Sequence, residues 1–321
     1  MDRQDNSSEF YSIGIDLGGT KIAAALVSFP SARIIVKEII PTLPTRGGEI
    51  VLKDTIALAE KLKSHAASIN AKVRGIGVGI AELVNRNGEI SSEYSIKWKN
   101  LPAKAALSQV APAEFDSDAR TPAYAEARFG SGAAFRNFVY LTVGTGISHC
   151  LVLGGRPYRG AHGHAIICGS GILSLECENC GSAQKQVLEQ YAAGPSLVAR
   201  YNQDSGAAFA SAQEVVAAAQ AGDKIAAQVV RSAAVSLGNT AGFLINILDP
   251  EALIVGGGLG LSGGLYWSTF TASTREHIWS EESRNLPILK AGLGADAGII
   301  GAAALIWEQA TRATTNVRAT Q

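Results

Sequence analysis

One pattern constrains this chain more than any other. An apolar strand runs into a tight glycine turn and out into a second strand, and this happens once in each half. In the first half the strand Tyr11–Asp16 meets Leu17-Gly18-Gly19-Thr20 and leaves as Lys21–Ser28; in the second, Asn137–Val143 meets Gly144-Thr145-Gly146 and leaves as Ile147–Leu153. The first pair is followed by β-branched residues at Arg33–Ile40, then by Glu49–Asn70, whose Leu52, Ile56, Leu58 and Leu62 recur at helical spacing, then by a buried strand at Arg74–Ile80. The second pair is followed by a short Arg156–Tyr158 segment and by Ala- and Leu-rich stretches expected to be helical (Gln184–Ala193, Ala212–Ala219, Ile225–Ile247). The strand Glu251–Val255 comes next, and an apolar helix at Gly298–Thr311 closes the chain. Two halves of similar order predict duplicated α/β domains with a cleft between them. The expected division is an N-terminal domain over residues 1–120, with a C-terminal helix 299–321 packing back on it, and a C-terminal domain over 121–298. The boundary near Asp118 to Gly132 reads as a hinge carried on a helix.

A chain of 321 residues is too long for one ordinary core and suits two. Its 28 basic and 28 acidic residues cancel and form no block of like charge, which argues against broad contact with nucleic acid or anionic membrane. Met1 to Phe10 is polar and acidic, unlike a signal peptide, and no apolar run reaches the length of a membrane span. Four cysteines do not make a disulfide framework in a chain of this size, so a reducing cytoplasm is expected.

Four motifs carry possible chemistry. In Asp16-Leu17-Gly18-Gly19-Thr20-Lys21, glycines between two strands let backbone N–H groups approach a phosphate, Thr20 adds a hydroxyl, Lys21 a cation, and Asp16 can hold Mg²⁺ through water. The same residues would also make a plain hairpin turn. Thr142-Val143-Gly144-Thr145-Gly146 stands at the matching place of the second half and would form the opposite jaw of a phosphate clamp. Gly256-Gly257-Gly258 ends a strand and suits either close approach of the adenosine and α-phosphate or a simple strand-to-helix turn. In Phe115-Asp116-Ser117-Asp118-Ala119-Arg120 a carboxylate at a helix start can take the proton of an attacking hydroxyl, or can cap the helix.

These motifs, together with Asp249-Pro250-Glu251 and Ala297-Gly298-Ile299-Ile300-Gly301-Ala302-Ala303, resemble the ROK family over roughly Ser12 to Trp307. That family comprises sugar kinases and related repressors. The resemblance implies a two-domain actin-like ATPase fold, of the hexokinase or sugar kinase type with ribonuclease H-like duplicated domains. It implies a kinase that moves the γ-phosphoryl group of ATP, with Mg²⁺, to a hydroxyl of a hexose, an amino sugar or a sugar-like polyol. The family's N-D-A-N falls on Ser117-Asp118-Ala119-Arg120, which makes Asp118 the base, and its C-L-E glutamate falls on Glu189. Asn100, Ser117, Asp118, His164, Ile167, Ser170 and Glu189 are then the candidate substrate contacts. Asp16, Gly18, Gly19, Thr20, Lys21, Gly144, Thr145, Gly146, Gly256, Gly257 and Gly258 are the candidate contacts to ATP.

The departures from the family bear on the acceptor. Its A-G-E-I-G-H falls on Ala165-Ile166-Ile167-Cys168-Gly169-Ser170, so the sugar-binding Glu becomes Ile167 and the His becomes Ser170, while its Pro-Gly after the fourth strand becomes Ala81-Glu82. Such losses put glucose itself in question and leave a C7-cyclitol or another non-hexose polyol as an alternative acceptor. Of the family's zinc ligands only Cys177 and Cys180 remain, so zinc is not expected, although Cys168 with His162 or His164 could complete a tetrahedral set. A catalytically silent sugar sensor is the third reading; it is expected to lose the base or the first turn, and both are kept. A DNA-binding repressor is not expected, since about a dozen residues precede the first strand. The expected partners are the sugar or polyol, ATP and a second copy of the chain.

Overall fold

The computed structural model describes residues 9–176 and 183–319. Backbone contacts divide the chain into two units. Unit 1 takes the residues up to Phe129, the segment Arg159–His164 and the chain from Asp296 onward; unit 2 takes Gly130–Tyr158 and Ala165–Ala295.

In unit 1 the elements are β1 Phe10–Leu17, β2 Lys21–Phe29, β3 Arg33–Pro41, α1 Gly48–Ser68, β4 Val73–Ile80, α2 Ala103–Ser108, β5 Ala113–Ser117 and α3 Arg120–Phe129, with a C-terminal helix Ala297–Ala319. The five strands lie in the order β3-β2-β1-β4-β5. β1, β2 and β3 pair antiparallel, while β4 and β5 run parallel to β1. One face of this sheet is covered by α1, which buries Val51, Leu52, Leu58, Leu62 and Ala66. The C-terminal helix covers the other, so β1 and β4 are buried on both sides and read as continuous apolar runs rather than alternating ones. The helix lies so close that glycine is the only residue the strands can carry beneath it. A Cβ on Gly14 would stand 2.0 Å from the Ile299 carbonyl oxygen, and one on Gly77 would stand 1.7 Å from that of Ala302. The Ser12 hydroxyl donates to the Ala303 carbonyl at 2.9 Å and pins the same contact.

In unit 2 the elements are β6 Phe138–Val143, β7 Ile147–Leu153, β8 Arg156–Pro157, β9 Ile172–Glu176, β10 Ala183–Val187, α4 Leu188–Ala192, α5 Gly194–Ser205, α6 Ala212–Gln220, α7 Lys224–Leu248, β11 Ala252–Gly256, α8 Gly264–Glu276, α9 Glu281–Arg284 and β12 Ile288–Lys290. Its main sheet has the order β12-β11-β6-β7-β8, with β6, β7 and β8 antiparallel and β11 and β12 parallel to β6. This is the order and direction of the first sheet, strand for strand. The core is built on α7, where Ala226, Val230, Ala233, Leu237, Ala241 and Ile245 fall three or four residues apart on the buried face and Val229 widens it. Asp223 caps its first turn, accepting from the Ala226 N–H at 2.9 Å.

Eight of the ten strands of the two main sheets fall where the sequence pattern puts them, to within a residue or two; β5 and β12, of five and three residues, are too short to be bounded by that pattern. The stretch Gln184–Ala193 does not form one helix: its first part belongs to β10, which pairs antiparallel with β9, and only Leu188–Ala192 is helical. Gln184-Lys185-Gln186 supplies no apolar residue at helical spacing, so nothing in it opposes pairing. Among the described residues no helix is long and apolar enough to cross a membrane.

Candidate active site

The candidate residues fall into two sets, one on each unit. In unit 1 they gather at the carboxyl ends of the parallel strands. The ladder aligns Leu17 with Ile80 and Ile80 with Ser117, so one row of the sheet closes β1, β4 and β5 together. Immediately beyond that row lie Gly18 on one side and Asp118 on the other, two strand spacings apart, about 10 Å. The Asp118 N–H donates to the Ile80 carbonyl at 3.0 Å, which extends the ladder by one bond and fixes where this half-buried residue leaves the sheet. Ligands of open α/β sheets bind outside this edge.

The first glycine turn is held from behind. The Gly18 N–H donates to the Lys21 carbonyl at 3.1 Å, and Thr42 braces the turn by donating its hydroxyl to the Gly18 carbonyl (2.6 Å) and its N–H to that of Thr20 (3.0 Å). The outer face of Gly19 is open: a Cβ there would meet nothing nearer than Ser95 Cβ at 4.0 Å, and the backbone is not left-handed. The fold itself therefore does not demand glycine at this position. Asp16 stands one residue inside the ladder end, under the first turn of the C-terminal helix, where a Cβ on Gly298 would lie 2.7 Å from Oδ2. Burial pushes the Asp16 carboxyl up to about 6, against the pull of Lys21 and Lys37. A single hard oxygen donor beside the first glycine turn has the chemistry of an Mg²⁺ ligand, since that ion keeps most of its waters. Among the described residues no group of three His, Cys, Asp or Glu side chains could hold a metal ion, and Asp16 stands as a single carboxylate.

The β5–α3 loop is stitched from below. Arg120, with none of its surface exposed, donates from Nε to Asp116, from Nη1 to the Gly163 carbonyl and from Nη2 to the Val84 carbonyl at 2.8 Å. The second oxygen of Asp116 takes the Arg159 guanidinium. Arg120 thus acts as an inward strut joining three loops, where the family pattern has an asparagine. Ser117, expected as a substrate contact, is fully buried, and its hydroxyl accepts the Arg120 N–H at 3.3 Å as a helix cap. Asn100 is exposed and donates to Glu93 at 2.9 Å, while His164 Nε2 lies 3.0 Å from the Ser91 hydroxyl.

Glu82 is the residue that sequence reasoning passed over. It is 5% exposed and collects the Ser92 hydroxyl and the N–H groups of Tyr94 (2.9 Å), Ser95 (2.6 Å) and Ile96 (2.7 Å). Burial pushes this carboxyl up, but the bonds it receives outweigh that and hold it below its ordinary value. The strap it holds runs past Gly19 at Ser95 and turns Tyr94 outward, 83% exposed. The available signal was an acidic residue directly after a buried strand, where the family pattern has Pro-Gly.

In unit 2 the turn Gly144–Gly146 joins β6 to β7 and closes with the Gly144 N–H donating to the Gly146 carbonyl at 2.9 Å. Glu189 reaches this turn from the start of α4: its Oε2 accepts the Ile147 N–H at 2.7 Å, and a Cβ on Gly146 would stand 2.7 Å from that oxygen. Ile167 is 46% exposed, and Ser170 donates its hydroxyl to the Ile167 carbonyl at 2.9 Å. Burial pushes the nearby Cys168 thiol up to about 12, and the Glu189 charge adds to it. Cys177 and Cys180 lie outside the described residues.

The third glycine run is packed hard against the protein. A Cβ on Gly256 would stand 2.1 Å from the Tyr140 hydroxyl, and Gly257, at φ +83°, faces the Val143 carbonyl oxygen at 2.4 Å. Beyond it the segment 258–263 and α6 enclose a cavity of about 200 Å³.

Comparison with known proteins meets this geometry. The ROK family model matches residues 12–309. The chain belongs to the ROK family. It is 31% identical over 319 residues to the glucokinase of Streptomyces coelicolor, covering 92% of this chain and 98% of that one. It is 33% identical over 302 residues to the bifunctional enzyme NanE/NanK of Brucella melitensis, covering 91% of this chain and 53% of that enzyme. Among solved structures, a ROK family glucokinase from Streptomyces griseus, in complex with glucose and AMPPNP, is similar with a TM-score of 0.78 at 29% identity, covering 92% of this chain and 98% of that one. The fold of this ROK protein is therefore the actin-like ATPase fold of sugar kinases, and its two sheets of equal order are the duplicated halves of that fold.

Proposed function

We propose that this ROK protein transfers the γ-phosphoryl group of ATP to a hydroxyl of a hexose or amino sugar, with Asp118 as the general base. The chain is an ATP-dependent sugar kinase, and a sugar and ATP are its substrates. The observation that carries the role of Asp118 is the ladder row Leu17–Ile80–Ser117, which delivers a carboxylate and a glycine turn to one sheet edge. The acceptor oxygen attacks the γ-phosphorus in line, its proton passes to the Asp118 carboxylate, the bond to the β-phosphate oxygen breaks and ADP departs. Gly18, Gly19, Thr20 and Lys21 of unit 1 and Gly144, Thr145 and Gly146 of unit 2 bind phosphate oxygens, while Gly256, Gly257 and Gly258 shape the nucleoside end. Asp16 would hold Mg²⁺ through water, and the ion supplies neutralisation of the charge on the β- and γ-oxygens.

One observation favours a second acceptor class. Ile167 is an exposed apolar surface where the family has a carboxylate, and Ser117 and Arg120 both point into the protein. A cyclitol or other polyol with fewer hydroxyls to satisfy at that face would lose least there. His164, Ser170 and Glu189 remain the polar contacts to either acceptor. We further propose a cytoplasmic homodimer, two-fold dimers being the commonest of soluble homo-oligomers.

The test is an ADP-release screen over hexoses, amino sugars and cyclitols. Turnover above the acceptor-free background with a hexose or amino sugar is expected. Turnover restricted to cyclitols would move the acceptor to the second class, and none with any acceptor would end the kinase reading.

A further inference from the structure

The first sheet sets three strand exits side by side. In the order β1-β4-β5 the strand β4 lies in the middle, so its exit stands between Gly18, which follows β1, and Asp118, which follows β5. A γ-phosphoryl group held at the glycine turn and an acceptor hydroxyl brought to Asp118 have to meet over that middle exit. The chain puts Glu82 there and turns its carboxylate to the strap. Oε1 accepts the N–H groups of Ser95 at 2.6 Å and Ile96 at 2.7 Å, and Oε2 accepts the Tyr94 N–H at 2.9 Å together with the Ser92 hydroxyl. Bonds to an ionised acceptor hold the backbone of 94–96 more firmly than neutral ones would.

What the strap presents to the turn is Ser95. It is half-buried, its N–H is already taken by Glu82, and its hydroxyl enters no hydrogen bond among the described residues. Apart from Gly18 and Thr20, it is the one described residue within 4 Å of where a Cβ on Gly19 would stand, and its own Cβ lies 4.0 Å from that point. A serine hydroxyl turns among three rotamers about one bond. From a carbon at that separation it reaches a phosphate oxygen over Gly19 at an ordinary hydrogen-bond length of about 2.5–3.0 Å. Phosphate oxygens accept, and a hydroxyl can supply the donor.

Resting on the kinase reading above, we propose that Ser95 is a further contact to the phosphoryl donor: its hydroxyl donates to an oxygen of the γ-phosphoryl group over Gly19, and Glu82 is the positioning residue that holds it there. Ser95, Glu82 and the turn all belong to unit 1, so the contact needs nothing from unit 2. The strap ties Gly19 to the exit of β4, on the side toward Asp118, so Ser95 meets the phosphoryl group that is transferred and not the two that stay with ADP.

Titration calorimetry of the full chain with Mg²⁺, comparing ADP with a non-hydrolysable ATP analogue, tests this without knowing the acceptor. Ser95→Ala should weaken the analogue by about tenfold or more, the worth of a hydrogen bond to a charged group, and leave ADP within about twofold. Glu82→Gln should show the same one-sided loss, because a strap that is no longer pinned lets Ser95 move away from Gly19. Circular dichroism checks that each variant is folded. Equal losses on the two nucleotides overturn the inference. So does a Ser95→Ala chain that binds the analogue as the wild type does, even if the KM of the acceptor rises, since the hydroxyl would then belong to the acceptor. A folded Glu82→Gln chain with unchanged affinity for the analogue overturns the positioning role. Failure of the folded wild type to bind either nucleotide would instead remove the kinase reading, and this inference with it.

Discussion

β4 and β11 hold the same place in two sheets of the same order, yet their exits are built from opposite materials. β11 leaves through Gly256 and Gly257, pressed against Tyr140 and Val143 so tightly that no side chain fits, and the chain then opens the apolar cavity beside α6. β4 leaves through Ala81 and Glu82, whose buried carboxylate gathers four donors and holds a strap beside Gly19. One exit is fixed by close approach of backbone to backbone, the other by charge-assisted hydrogen bonds. The duplicated sheet sets where each exit points, and the exit sequence sets what can be done there. In this account the β11 exit handles the nucleoside and the β4 exit shapes the acceptor side.

Breaking the β11 exit should have the largest effect. Gly257→Val places a β-branched residue at a left-handed φ and into the Val143 carbonyl, and is expected to cost 4 kcal/mol or more, about the exceptional range for one substitution. Thermal unfolding would show a collapse of Tm or no soluble protein; a Tm near wild type would mean that the exit does not rest on β6.

Next is Asp16, at the end of the strand beside β4. Its folded value of about 6 lies above the ordinary 3.8, so the folded chain holds this proton more tightly, and stability falls as pH rises from about 4 to about 6. Above that window the ionised group costs about 3 kcal/mol. Asp16→Asn should therefore raise the Tm of the ligand-free protein at pH 8, with the gain shrinking toward pH 4, and should lose the stabilisation that Mg²⁺ with ATP gives the wild type. A lower Tm at pH 8 would contradict the burial argument.

Breaking the β4 exit comes third. Glu82→Gln replaces one acceptor oxygen by a donor that faces backbone N–H groups, and leaving a buried donor unsatisfied costs about 2 kcal/mol. Hydrogen exchange at Ser95 and Ile96 should quicken by about tenfold or more, and unchanged protection would show that the strap is held by something else. Smallest is Gly19→Ala. With an ordinary φ and open space beyond, stability should change by less than about 0.5 kcal/mol, while ATP affinity falls because the methyl stands where a phosphate approaches. Unchanged affinity would reduce this turn to a hairpin.

β1, β6 and β11 were legible because each is a buried apolar run that meets a glycine turn, β4 because it is a buried apolar run, and the first two turns were legible as a pair because they recur at one address. α5 and α8 were missed because their apolar residues are sparse and mixed with Ser, Thr and Gly, leaving little periodicity to read. At the site, Asp118 and Glu189 could be found by motif, but direction could not. Whether Arg120 turns outward to a substrate or inward to Asp116 depends on loops that are distant in sequence, Val84 and Gly163 among them. Glu82 stood out as a departure from the family pattern, but its role was out of reach for the same reason: its four partners come from a strap with no regular structure, and no spacing rule links them to it.

The most direct measurement compares Asp118→Asn with wild type in steady-state ADP release, using whichever acceptor the wild type turns over, alongside ATP binding by calorimetry. If Asp118 takes the proton of the acceptor hydroxyl, kcat falls by roughly a hundredfold to ten-thousandfold while the Kd for ATP stays within about threefold, since the proposed base meets the acceptor hydroxyl and forms no part of the proposed nucleotide contacts. A variant that keeps more than about a tenth of the wild-type kcat would contradict the account.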